Sequence, residues 1–174
     1  AYGIVPGQDK GRRKRRIAVS GAEATDKSAE LLAAARAGAT VVYLPGALPL
    51  PAPRVEKARC FMAKVRPHPL TRGLNDGDLY FKRWTELPSV QGDDGWELLA
   101  EPGCAAVKRE GEGSLVALLL DPAGLEGRAR VKVTRFYNIL LANLGAARNG
   151  GWLAADSKVY EKNPWEEMPP WIEW

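Results

Sequence analysis

The sequence holds one histidine and two cysteines, and its longest apolar run, Leu115 to Leu120, is short. Each shortage closes a class of function. With His68 as the sole imidazole, a site built on paired histidines is excluded. Cys60 and Cys104 lie far apart with no Cys-x-x-Cys and no adjacent histidine, which fits no zinc spacing. The two thiols read as free and buried, with a disulfide between them in an oxidising compartment as the alternative. A bilayer span takes about 20 apolar residues, so no spanning helix is expected. An initiator methionine and a signal-peptide pattern are also missing, so Ala1 reads as a processed end or a cut within a longer chain, and the compartment stays open.

What is present is ordinary for one globular domain: 174 residues, 45% hydrophobic and 26% charged. The net charge of +4 is local. Arg12, Arg13, Lys14, Arg15 and Arg16 supply five positives in one run, and the rest of the chain is near neutral. A surface built for nucleic acid spreads its charge over a folded face, so nucleic acid is not expected as a partner. Residues 1–15 read as a basic linker or arm, with an acidic polymer as an alternative partner and proteolytic processing as a further possibility.

Ile17 to Ser20 is a short strand. Thr25-Asp26 offers an N-cap for a helix over about Lys27 to Ala37, and Gly38 is its stop. That helix is apolar nearly all round and is expected to lie between layers. Thr40 to Leu44 is a continuous apolar run, the mark of a strand buried on both faces of a parallel sheet. Strand, helix, glycine, strand makes a βαβ unit. Pro45 to Pro53 carries four prolines and must be a loop. Arg59 to Val65 reads as an edge-like strand, Trp96 to Ala100 with Ala105 to Lys108 as an antiparallel pair, and Ser114 to Leu120 as the sheet centre. In the final helix, about Ala129 to Leu144, Val133, Phe136, Tyr137, Leu140, Leu141 and Leu144 recur at helical spacing.

The most densely specified stretch is 66–84. Pro67 and Pro69 hold Arg66 and His68 extended, and Asn75-Asp76-Gly77-Asp78 is a tight turn leading into Leu79-Tyr80-Phe81. His68, Arg72, Asp76, Asp78 and Trp84 are the candidate binding residues here. The plain readings are a structural hydrogen bond for His68 and turn formation for the aspartates. Residues 147–174 show no helix or strand period. Their tryptophans, Trp152, Trp165, Trp171 and Trp174, are expected to lie on a surface, either docked on a neighbouring domain or stacked on sugar rings. Glu166 and Glu167 are adjacent on this tail and do not form the separated carboxylate pair of a glycosidase. No catalytic residue, metal site or cofactor is assigned.

Ala34 to Val42 resembles a helix-to-strand step of class I glutamine-amidotransferase-like domains. His68-Pro69-Leu70, Gly73-Leu74, Asp76, Asp78-Leu79 and Trp84 are similar to a segment of such domains attached to bacterial glycoside hydrolases. Glu110 to Val116 and Phe136 to Gly145 resemble their closing strand and helix. The resemblance spans roughly residues 17–146. It implies an α/β fold, flavodoxin-like, with a mostly parallel sheet and flanking helices. Because only two good helices are found, the expectation is either a small, lopsided architecture or, the preferred reading, the C-terminal part of a larger domain. Residues 16–146 would form the domain and 147–174 a docking tail. Active members carry a Gly-x-Cys-x-Gly nucleophile elbow, and neither Cys60 nor Cys104 sits in one. The resemblance thus implies a non-catalytic accessory or interface domain of a carbohydrate-processing protein, partnered by the rest of that protein and by carbohydrate, and placed outside the bacterial cytoplasm. An amidotransferase-like enzyme using Cys60 or Cys104 is the alternative.

Overall fold

The computed structural model describes residues 17–21, 27–49 and 52–145. In chain order these form β1 (Ile17–Ser20), α1 (Ser28–Arg36), β2 (Thr40–Tyr43), β3 (Val55–Met62), β4 (Lys64–Val65), β5 (Tyr80–Val90), β6 (Trp96–Leu98), β7 (Ala100–Glu101), β8 (Ala105–Glu110), β9 (Gly113–Leu118) and α2 (Gly127–Asn143). Short 3-10 turns at Pro69–Thr71 and Asp76–Leu79 join β4 to β5.

The apolar runs make the centre. Every residue of β2 is buried, and β2 lies parallel to β1 on one side and to β9 on the other. Alternation along the strands divides the core in two. Val41, Tyr43, Leu115 and Ala117 pack with Ala35, Leu31 and Leu32 of α1. Val42, Val116 and Leu118 pack with Val133, Phe136, Tyr137 and Leu140 of α2. The helical spacing read from the sequence therefore places α2 against the sheet, and Gly38, at φ 98°, ends the turn after α1.

The sheet is not the expected one. Its order is β1-β2-β9-β8-β6, and the β9–β8 and β8–β6 pairings are antiparallel. The flavodoxin-like, mostly parallel sheet with flanking helices is thereby overturned: the sheet is mixed, and among the described residues there are two α-helices, one against each face. The reason is local. Only Gly111-Glu112 separates β8 from β9, and a parallel crossover needs a dozen residues or more. Nor is α1 held between layers, since Ala33 and Arg36 are exposed. The proposed cap at Thr25-Asp26 lies outside the described residues.

A second departure is a long antiparallel ribbon, β3 with β5, paired from Val55↔Val90 to Met62↔Tyr80. The expected strand at Arg59 to Val65 instead begins at Val55 and breaks at Ala63. One end of the ribbon is tied to the sheet by the Val90 N–H donating to Gly103 O at 2.8 Å and the Gly103 N–H donating to Ser89 Oγ at 2.8 Å. At the other end β3 and β5 are mostly exposed.

Candidate docking site

Pro67 and Pro69 leave His68 extended, at φ −155° and ψ 153°. Its Nδ1 accepts the Leu70 N–H at 3.0 Å, and its own N–H donates to Thr71 Oγ1 at 3.0 Å. A neutral ring so engaged carries its proton on Nε2. From α2, Asn143 Nδ2 donates to Leu70 O at 2.8 Å and to Arg72 O at 2.9 Å. The loop is thus pinned from within and from the helix behind it. Arg66, His68 and Arg72 line an open concavity of about 580 Å³ along this loop. Glu101 Oε2 holds Arg66 at 2.6 Å.

The two aspartates work inside the fold. Asp76 Oδ1 accepts the Val65 N–H at 2.7 Å, tying the turn to β4. Asp78 is buried; its Oδ2 accepts the Asn75 N–H at 3.0 Å and its Oδ1 pairs with Arg135 of α2. Among the described residues no three acidic, histidine or cysteine side chains gather as metal ligands. Asp78→Ala should lower stability by about 2 kcal/mol, because a buried charged hydrogen bond is lost and Arg135 is half exposed. Asp76→Ala should cost about 1 kcal/mol. Urea unfolding checks both, and a calcium-dependent rise in midpoint would instead make the turn a cation site.

The ribbon carries the feature with no structural purpose of its own. Pairing runs regularly to Cys60↔Thr85 and then jumps to Met62↔Tyr80, so Phe81 to Trp84 form a bulge opposite Phe61. Lys82 sits at φ 65°, a conformation non-glycine residues seldom adopt. Bulges re-aim side chains, and this one leaves Phe81 buried and Trp84 62% exposed. Phe61 meets Trp84 edge-on at 5.3 Å and 76°, and Tyr80 at 6.3 Å and 88°. Lys132 of α2 holds its Nζ 4.9 Å from the Tyr80 ring centroid, and Met62 is exposed beside them. Four large apolar side chains thus share one exposed end of a ribbon.

Of the predicted site residues, the structure gathers Trp84 into this cluster and His68 with Arg72 along the concavity. Asp76 and Asp78 serve the turn. Trp152, Trp165, Trp171 and Trp174, with the basic run 12–16, lie outside the described residues. Phe61, Met62 and Tyr80 were not predicted. Their only sequence signal was adjacency, Phe61-Met62 and Tyr80-Phe81, which becomes a patch only once the register is known.

The thiols are poorly placed for chemistry. Cys60 lies inside β3 and Cys104 just before β8, neither at a strand-to-helix turn, and both are free and buried. Burial pushes the Cys60 thiol up, and burial with the nearby Cys60 pushes Cys104 up to about 12. A reactive cysteine needs the opposite shift. No helix among the described residues is long and apolar enough to cross a membrane.

No protein-family model matches the chain, and no curated protein matches it. Among solved structures it is similar to the cold-adapted β-galactosidase of Rahnella sp. R3, with 11% identity and a TM-score of 0.48 over 76% of this chain and 23% of that one. The chain thus spans less than a quarter of that protein. A likeness this distant carries no argument for activity, and no match supports the amidotransferase resemblance.

Proposed function

We propose that this chain is a non-catalytic interface domain of a larger carbohydrate-processing protein, and that it docks through the aromatic bulge of β5. The observation that carries the docking role is the exposed cluster of Phe61, Met62, Tyr80 and Trp84. Exposed apolar patches of this kind mark interaction surfaces, and aromatic anchors supply most of the binding energy of an interface. The cluster is a knob and not a platform: Phe61 stands nearly perpendicular to both neighbouring rings, whereas a sugar chain stacks best on open ring faces lying in one plane. The carbohydrate setting rests on the sequence likeness of residues 68–84 alone. Two raised thiol pKa values argue against cysteine nucleophiles in this chain.

Phe61→Ser with Trp84→Ser tests the role. Both side chains are exposed, so the double variant should unfold within about 1 kcal/mol of the parent chain. Sedimentation at high concentration should show association of the parent chain and its loss in the variant. Retention on a polysaccharide column that depends on Trp84 would replace docking by sugar binding, and a monomer unchanged by the double substitution would remove the knob as an interface.

A further inference from the structure

The concavity of residues 66–74 shares no lining residue with the knob and is not explained by docking there. It is rigid, and its lining supplies donors: Arg66, Arg72 and the Nε2–H of His68, set among Pro67 and Pro69, with no carboxylate lining it. Two carboxylates bond lining residues: Glu101 pairs with the Arg66 guanidinium, and Asp76 accepts the Val65 N–H. Such a surface suits a segment that brings carboxylates together with aromatic rings, because guanidinium groups bind carboxylates through paired N–H donors and also stack on aromatic faces.

One such segment belongs to this chain. Residues 164–174 hold three tryptophans, three glutamates and three prolines, with no lysine or arginine. The described chain ends at Gly145, two residues after Asn143, whose side chain bonds the carbonyl of Arg72 in the concavity wall and that of the buried Leu70. The last described residues therefore sit beside the site. Residues 146–163, at most roughly 60 Å when extended, give ample reach, and tethering raises the local concentration of a weak ligand. We infer that residues 164–174 seat in this concavity in cis, with Arg72 meeting Glu166 or Glu167 and a tryptophan lying against the proline-lined wall. This inference goes beyond the docking role and does not depend on it.

His68 is the only histidine, so its carbethoxylation by diethyl pyrocarbonate reports on the concavity without assignment. The full chain would be compared with Glu166→Lys/Glu167→Lys, with Arg72→Glu, and with all three changes together. Each charge reversal should speed His68 modification about fivefold by releasing the seat, and the combined variant, with the charges exchanged, should restore slow modification. The tail substitutions lie outside the described domain, and circular dichroism verifies that Arg72→Glu is folded. Equal rates in all four proteins, or no recovery in the combined variant, would overturn the inference. Protection that grows with protein concentration would assign the seat to a second copy and overturn it equally. None of these rates depends on Phe61 or Trp84, so failure here leaves the knob standing.

Discussion

Gly113→Ala should cost about 3 kcal/mol, a large loss for a one-carbon change. A Cβ at this position would lie 2.0 Å from Ala39 O and 2.3 Å from Ala35 O. Both contacts are backbone, so no side chain can swing away. The close approach seats β9 beside the end of α1, where the Ser114 N–H donates to Ala39 O at 3.1 Å and the Glu112 N–H to Arg36 O at 3.2 Å. A methyl group would push α1 from the sheet and strain the β2–β9 register together. Chemical denaturation should show a lower midpoint, with near-ultraviolet ellipticity from Tyr43 and Trp96, both buried on that face, reduced before unfolding. An unchanged midpoint would mean that α1 is not packed as described.

Alkaline pH should destabilise the domain strongly. Cys104 is fully buried and its thiol is pushed from 9.0 up to about 12; burial also raises the Tyr137 phenol, which donates to Leu120 O at 2.6 Å. Both groups hold their protons longer in the folded chain than in the unfolded one. Their contribution is therefore complete below about pH 9 and is lost as pH rises toward 12, where the unfolded chain binds fewer protons. The rise of the Cys104 thiol from 9.0 to about 12 amounts to about 4 kcal/mol across that window. Urea midpoints at stepped pH should fall through the window, and Cys104→Ala should flatten the slope. A parent profile as flat as the variant's would mean that the thiol ionises without opening the core.

How much of this was legible depended on where the information lay. Val133, Phe136, Tyr137 and Leu140 declared α2 because one helix buries one stripe, and the β2 and β9 runs declared strands covered on both faces. The two residues Gly111-Glu112 between β8 and β9 carry the antiparallel direction locally, against the parallel sheet that the resemblance implies. The ribbon was less accessible. In β3, Glu56, Lys57 and Arg59 are exposed along with Val55 and Phe61, so no period-two pattern marks the strand. In β5, Pro88 breaks the run that Leu87 and Val90 would otherwise suggest. The knob is a product of misregister between these two strands, and register between distant segments leaves no local trace. Asp78 was legible as a turn residue because its carboxylate acts on Asn75, three positions away, whereas the bond of Asp76 to Val65 spans eleven positions and leaves no local trace.

The parallel pairing of β2 with β9 has a temporal side. Thr40 meets Ser114, and their hydroxyls lie 3.3 Å apart although 74 positions separate them in the chain. Closing such a long loop is entropically slow, whereas β8 and β9 are joined by two residues and can zip at once. During synthesis, β1, α1 and β2 emerge well before the strand that completes their layer. For that interval Val41, Val42 and Tyr43 lack their partners in β9. The rate of maturation, and the tendency of the nascent chain to aggregate or call on a chaperone, should therefore be governed by how soon β9 arrives.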